Sequence, residues 1–209
     1  MFVGGKGVYP AMTPRIDVHL LTLDEPSDWR EECIQSLQGA PIELHVLPGI
    51  PGHIGQARAL GFACGELPLV SFVDPDDRYE ASAFTQLADA LDSCSQALIA
   101  YTDEAHMDAQ GRQHARRPHT YSRWQHANSA SHVHGLIVMR REAVLHEQPV
   151  LTAMHGCQIW MLTQRLAQRG AVLHLPIVGR YWRQHANQAH RRTGYDDAEI
   201  CRRVLAAPN

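Results

Sequence analysis

The sequence predicts an α/β domain with a mainly parallel sheet flanked by helices. Three observations carry this: short segments with period-two apolar alternation, helical-period segments between them, and one apolar run, Leu69-Val70-Ser71-Phe72-Val73. Strands that alternate with helices need crossover connections, and such connections make neighbouring strands parallel. An apolar run of strand length is what a strand covered on both faces requires.

The elements follow in order. Ile16-Asp17-Val18-His19-Leu20 alternates with period two, and Ser27 to Leu37 then puts Trp29, Cys33, Ile34 and Leu37 on one helical face. Ile42 to Val46 alternates again, Pro48 to Gly52 is turn chemistry, and Ile54 to Cys64 reads as a helix stopped by Gly65. After the apolar run come a helix from Ala81 to Leu91 and a strand from Ala97 to Tyr101, expected to stop at Thr102-Asp103-Glu104. Gly135 to Met139 is a strand candidate, Gln158 to Gln168 a helix with Gly170 as its stop, and Val172 to Val178 the last strand. Arg180 to Tyr195 reads as a polar segment and Asp197 to Ala206 as a terminal helix, with neither an internal repeat nor a low-complexity linker.

Composition narrows the function classes. A chain of 209 residues with 44% hydrophobic and 20% charged residues can bury one core without staples, which excludes disorder and fibrous repeats. A net charge of -3 excludes a wholesale polyanion binder, so any nucleic-acid or membrane contact must be local. No apolar stretch approaches the ~20 residues a bilayer span needs, and Met1 to Pro10 lacks the charged start and apolar stretch of a signal peptide. A cytoplasmic protein is expected. The 5 cysteines form no C-x-x-C pair and the 14 histidines no H-E-x-x-H motif, so neither a disulfide frame nor a zinc ribbon organises the fold. From Ala109 to Arg141 there is no acid, while Arg112, Arg116, Arg117, Arg123, Arg140 and Arg141 stand among Tyr121, Trp124 and several histidines.

The sharpest local signal is Asp74-Pro75-Asp76-Asp77, directly after the apolar strand. In an open α/β sheet ligands bind beyond the carboxyl ends of strands, so these carboxylates stand where a site would be built. Two carboxylates about 4 Å apart repel by roughly 1 to 4 kcal/mol, and a hard divalent cation reverses that sign. A Mg²⁺ or Mn²⁺ site is one reading and a solvated turn the other, since Asp and Pro are ordinary turn residues.

Taken with the helix before it, the acidic turn resembles the family 2 glycosyltransferases of the GT-A fold. Arg58, Gly61 and Gly65 match that family's G-x-A-x-A-R-N-x-G-x-x-x-A-x-G helix, with Ala59 or Leu60 where its Asn stands, and Asp74, Asp76 and Asp77 match its D-x-D-D motif. Tyr101-Thr102-Asp103-Glu104 with Asp108 is similar to its Y-S-D-E-D-x-x-D segment, and Tyr181 to Asn187 to its Y-R-x-H-x-x-N segment. The resemblance runs from about Ile16 to Asn187 and implies one Rossmann-like nucleotide-diphospho-sugar transferase domain over 1–209. About 14–100 would be its nucleotide-sugar half, about 101–190 its acceptor half, and 191–209 a C-terminal segment.

The resemblance implies metal-dependent transfer of a sugar from a nucleoside-diphosphate sugar to an acceptor hydroxyl, with inversion. Thr22, Arg58, Asp74, Asp76, Arg183 and Arg191 would contact the donor, with Asp74 near the ribose; Asp76, Asp77 and His185 would hold Mg²⁺ or Mn²⁺. A preplaced cation offsets the negative charge that the leaving diphosphate gains. The acceptor would be a glycan, a lipid-linked or another hydroxyl compound. The basic segment Gly111 to His134 either grips an anionic acceptor, single-stranded nucleic acid included, or is a solvated mobile loop.

Two departures matter. The family's base-holding Asp after the second strand is replaced by Leu47-Pro48-Gly49-Ile50, so uridine is not specified. The family's Glu-Asp pair before Trp160 and Leu166 has become His155-Gly156, and general-base catalysis contributes typically 10² to 10⁴-fold. His155 could itself be the base, or Asp103 or Glu104 could serve from the adjacent strand end; otherwise the protein binds a sugar nucleotide without transferring it. A GT-A-like nucleotidyltransferase trails these readings, because Leu21 to Glu25 offers no phosphate-gripping Gly-rich loop.

Overall fold

The computed structural model describes residues 13–118, 120–186 and 188. Within them the chain alternates as expected: β1 (Ile16–Thr22), α1 (Ser27–Ser36), β2 (Ile42–Pro48), α2 (Ile54–Phe62), β3 (Leu69–Val73), β4 (Arg78–Tyr79) and α3 (Ala81–Ser93). The second half follows as β5 (Ala97–Met107), β6 (Gln113–Arg117), α4 (Arg123–Asn128), β7 (Ile137–Arg140), α5 (Arg141–His146), α6 (Gln148–Ala153), α7 (Gln158–Arg169) and β8 (Ala171–Arg183).

Among the described residues the strands form one sheet in the order β2-β1-β3-β7-β5-β8-β4, with β6 paired to β5. β2, β1, β3, β5 and β8 share one direction, and β7 lies antiparallel between β3 and β5. The sheet is therefore mixed and mostly parallel. Because β7 runs the other way, its first residues arrive at the edge where β3 ends. All five side chains of β3 are buried, as the apolar run requires.

Helices cover both faces. Cys33 and Leu37 from the α1 segment, with Phe84, Leu87 and Leu91 of α3, pack on one face against Ile16, Val18, Leu20, Leu69 and Val73. Phe62, Val144, Leu151, Leu162 and Leu166 pack on the other against Val70, Phe72, Ile99, Tyr101, Ile137 and Met139. Each fully buried Leu, Phe or Ile contributes roughly 1.5–3 kcal/mol, so these two layers hold the sheet edge rigid. The α2 helix can lie this close because Gly61 has no side chain: a Cβ there would sit 2.4 Å from the His19 ring. Gly65, read as the helix stop, follows with a φ of +72°.

Three expectations need correction. The strand expected to stop at Thr102-Asp103-Glu104 continues to Met107, because β8 pairs along its length and β6 covers its far end. The polar segment expected from Arg180 begins later, since Arg180 to Arg183 continue β8. The basic segment is not a loop throughout: it contains β6 and α4, whose N-cap Ser122 Oγ accepts a hydrogen bond from the Gln125 backbone N–H at 3.3 Å. The terminal helix expected over Asp197 to Ala206 lies outside the described residues. Among the described residues no helix is long and apolar enough to cross a membrane.

Gly135, just before β7, is a packing constraint as strict as Gly61. A Cβ on it would lie 2.1 Å from the Thr102 carbonyl oxygen of β5, and backbone cannot swing aside as a side-chain tip can. Gly135→Ala should destabilise the protein by about 1–3 kcal/mol, read as a lower urea midpoint at unchanged slope. A wild-type midpoint would show that β7 does not pack this closely on β5.

Candidate functional site

The acidic turn leaves β3 at the carboxyl edge of the parallel strands, and each carboxylate has a different environment. Asp74 receives the guanidinium of Arg58 on one oxygen and Arg180 Nη2 on the other at 2.8 Å. Burial opposes its ionisation, but Arg58 and Arg180 outweigh it and hold its pKa below the usual range. Arg58 is itself sealed under the turn, 3% exposed, with its guanidinium carbon 4.4 Å from the Phe72 ring centroid. It reaches Asp74 from below.

Asp77 is buried completely. Its Oδ2 accepts Arg180 Nε at 2.7 Å and its Oδ1 accepts the Arg183 backbone N–H at 2.7 Å. Burial, opposed by Arg180 and reinforced by Asp76 and Asp74, pushes its pKa up. The sequence reading grouped Asp77 with the metal ligands; here both of its oxygens are engaged inside the protein.

Asp76 differs again. Its Oδ2 lies 2.9 Å from His185 Nε2, and the two side chains retain 24% and 12% exposure. His185 packs against Trp29 at 4.8 Å between ring centroids, and the Arg183 guanidinium lies 5.1 Å from the same indole. Arg183 donates Nε to the Asp76 carbonyl at 2.7 Å, pairs with Glu32 and donates Nη1 to the Ala109 carbonyl at 3.2 Å. Thr22, at the end of β1, ties the neighbouring loop down: its Oγ1 donates to the Leu47 carbonyl at 3.3 Å and its own carbonyl accepts Gly49 N–H at 2.6 Å.

On β5 the alternation of a strand sends Asp103 and Glu104 to opposite faces. Asp103 is held by Arg116 Nε at 3.0 Å and by His174 Nε2 at 2.7 Å. Glu104 lies 2.6 Å from His134 Nδ1 and 3.4 Å from His106 Nε2, with Arg117 at 3.8 Å. Burial would raise the Glu104 pKa, but the His134 hydrogen bond and charge, Arg180 and His106 overcome it and lower it to about 2. His155 is exposed, with Nδ1 3.3 Å from the Gly52 carbonyl and its ring 5.4 Å from that of His53. Arg191 lies outside the described residues.

The basic segment spends much of its charge internally. Arg112 pairs with Asp108 at 2.7 Å, Arg116 with Asp103, and Arg117 with Glu104. Beside them a cleft of about 550 Å³ is lined by Thr120, Trp124, Gln125, Asn128, Ser131 and His132, and Trp124 is 74% exposed. A separate group, Asp17, Glu43 and His45, offers ligand atoms within 4.8 Å of one another. It sits at the amino ends of β1 and β2, away from Asp74, and Asp17 is already bonded by Arg141, His45 and the Leu67 N–H.

Sequence reasoning found Asp74, Asp76 and His185, which the fold brings to one edge, but it missed Glu32, Arg180, His134 and His174. Glu32 was readable in principle, because Trp29, Glu32, Cys33 and Ser36 share one helical face that addresses the acidic turn. Arg180 carried one signal: a charge following Gly179 where the strand pattern demanded an inward residue.

No protein-family model and no curated protein matches the chain. Among solved structures it is similar to S. aureus TarS 1-349, with a TM-score of 0.63 at 13% identity over 81% of this chain and 60% of that one. The TarS 1-349 complex with UDP-GlcNAc gives 0.64 at 14% over 91% and 65%. The complex with UDP gives 0.61 at 12% over 82% and 61%. This chain thus spans under two thirds of the TarS 1-349 length. The likeness gives this chain the α/β fold of TarS, a mixed and mostly parallel sheet flanked by helices.

Two outcomes follow from the geometry. Removing one partner of a buried ion cluster leaves charge uncompensated and costs about 3–5 kcal/mol, so Arg180→Met should lower stability by that order in urea unfolding; an effect under 1 kcal/mol would mean the turn is wet. Glu104 has a folded pKa of about 2, below its ordinary 4.5, so its stabilisation is complete above 4.5 and lost as pH falls through 2. The stability gap between wild type and Glu104→Gln should therefore close between pH 4.5 and 2, and a gap constant across that window would contradict the assignment.

Proposed function

We propose that the chain is a glycosyltransferase that moves a sugar from a nucleoside-diphosphate sugar to an acceptor hydroxyl, with Mg²⁺ or Mn²⁺ and with inversion at the anomeric carbon. One observation carries the reading: beyond the carboxyl end of β3, Asp76 and His185 present an oxygen and a nitrogen 2.9 Å apart, beside an Asp74 kept ionised by two guanidinium groups. The same fold in TarS is known with UDP and with UDP-GlcNAc, which supports a nucleotide-sugar occupant.

A carboxylate with an imidazole is a donor set that suits Mn²⁺, and Mg²⁺ binds such a carboxylate while keeping several waters. Asp76 and His185 would hold the ion, which when bound supplies positive charge at the departing diphosphate. The chain's own groups do the rest. Asp74 has about four lone-pair sites and uses two on Arg58 and Arg180, so it can accept from the ribose hydroxyls. Arg58 and Arg183 act from beneath, fixing Asp74 and the Asp76 carbonyl, and Thr22 fixes the wall at the end of β1. Asp77 anchors Arg180 and the start of the segment that carries His185. In this reading 14–100 form the nucleotide-sugar half and 101–190 the acceptor half.

On the acceptor side the pairing of Arg112, Arg116 and Arg117 with acids favours an uncharged glycan over an anionic one. The cleft beside Trp124 supports this, because amides, hydroxyls and an indole face are what a sugar ring meets well. A noncatalytic sugar-nucleotide binder is the second reading, favoured by His155-Gly156 in place of an acid pair.

A thermal-shift screen of UDP, GDP and their sugars with and without Mn²⁺, followed by donor hydrolysis, separates these. At a hundredfold over its Kd the right nucleotide should stabilise the protein by about 2.7 kcal/mol. Asp76→Asn should lose the Mn²⁺-dependent part of that shift. Stabilisation without turnover would favour the binder, and silence toward every nucleotide would defeat both readings.

A further inference from the structure

The proton of the acceptor hydroxyl needs a destination, and two of the groups that sequence suggested for it are enclosed by protein. Asp103 lies between the Arg116 guanidinium and His174, and Glu104 is sealed, with no side-chain exposure. His155 is exposed, with Nδ1 beside the Gly52 carbonyl and its ring beside that of His53.

Sheet register points elsewhere. β7 pairs with β3 through Leu69↔Arg140, Val70↔Met139 and Ser71↔Val138, and with β5 through Ile99↔Met139, Ala100↔Val138 and Tyr101↔Ile137. Continued toward the carboxyl edge, the first register sets Asp74 across from Gly135 and the second sets Glu104 across from His134. The antiparallel strand thus delivers His134 between the acidic turn and Glu104. Its position is fixed by Gly135 packed on the Thr102 carbonyl and by Arg180 Nη1, which donates to the His134 carbonyl at 3.4 Å. The same Arg180 holds Asp74 and Asp77.

We propose that His134 is the catalytic base of the transfer, with Glu104 as its positioning residue; this rests on the transferase reading above. A carboxylate ionised down to pH of about 2 has no hydrogen to give, so at 2.6 Å the His134 Nδ1 must carry one and donate it. That fixes the tautomer and leaves the Nε2 lone pair as the basic site. Among the described residues Nε2 makes no hydrogen bond, and the side chain is 29% exposed. Trp182 braces the ring at 5.5 Å between centroids. The titratable and charged neighbours are Glu104, His106 and Arg117 of β5 and β6, Arg180 of β8 and Asp74 of the turn.

The step balances. The acceptor O–H bond breaks and its proton passes to His134 Nε2 while the acceptor oxygen bonds to the anomeric carbon. The bond from that carbon to the diphosphate oxygen breaks, and its electron pair leaves with the nucleoside diphosphate. The imidazolium so formed lies against the Glu104 carboxylate, which stabilises it as a buried acid stabilises a protonated histidine partner.

The test uses the full chain and donor hydrolysis, in which water stands in for the acceptor, with UDP-GlcNAc, UDP-glucose and GDP-mannose as probes. His134→Gln should lower kcat on the order of 10² to 10⁴-fold with the donor KM and thermal midpoint close to wild type. His134→Ala should regain turnover when imidazole is added, and Glu104→Gln should lower kcat rather than raise KM. Nitrogen NMR of the unliganded protein should find the His134 hydrogen on Nδ1 in wild type and a changed tautomer balance in Glu104→Gln. Wild-type turnover in His134→Gln would overturn the proposal and leave the transferase standing. Nucleotide binding without hydrolysis by the wild type would overturn both.

Discussion

The arrangement at the carboxyl edge depends on Arg180. This one guanidinium, 5% exposed, lies against both Asp74 and Asp77, a partly exposed and a wholly buried carboxylate that a short turn holds together. Without it their repulsion would be strengthened by low dielectric, and the turn would open or take up protons. Arg180 can be there only because β8 extends far past its predicted end, pairing with β5 on one side and with β4 on the other. A long strand next to the sheet's edge thus brings the guanidinium that holds Asp74 ionised. The same strand delivers Arg183, whose backbone N–H meets Asp77 and whose guanidinium meets the Asp76 carbonyl, and so sets where His185 begins.

How much of this was legible follows from what each element depends on. The alternation in β1 and β2, the apolar run of β3 and the helical face of α3 are local patterns, and local patterns read correctly. The acidic turn was legible because its neighbour in sequence, the buried strand, fixes its place in space. β5 was cut short because Thr102-Asp103-Glu104 looks like a strand end. A polar run can continue a strand when every carboxylate meets a hydrogen-bonding partner brought from elsewhere, here Arg116, His174 and His134. Those partners lie 13, 71 and 30 residues from the acids they meet. The role of the acidic turn was likewise finer-grained than its spelling: one carboxylate is ionised by two arginines, one is partly exposed beside a histidine, and one is buried as an anchor.

The two carboxylates of β5 illustrate how a strand separates functions that sequence runs together. Asp103 faces β6 and β8, and its partners Arg116 and His174 tie those two strands together. Glu104 faces the start of β7 and the acidic turn. Both are completely buried, yet a structural ion pair and a histidine-orienting carboxylate differ in what stands beyond the partner. Beyond Arg116 is the Pro176 carbonyl, more protein. Beyond the His134 imidazole is the edge where Asp74 lies.

The exposure of Asp76 and His185 carries a consequence for how cation and donor would bind. Two protein ligands are few for an ion that prefers six, so on the proposed reading most of the coordination shell is left to water and to the oxygens of the diphosphate. An ion held by so small a share of its shell binds the protein weakly alone and more strongly once the diphosphate joins it. Linkage then requires the converse, that the donor bind more strongly with the ion than without it, by the same factor. Asp77 is wholly buried, so it cannot add a third ligand unless the turn opens, and that opening would uncouple β8 from the turn. On that reading the protein trades affinity for the free ion against a rigid edge, and the rigidity keeps Arg180 on Asp74 and Gly135 against β5.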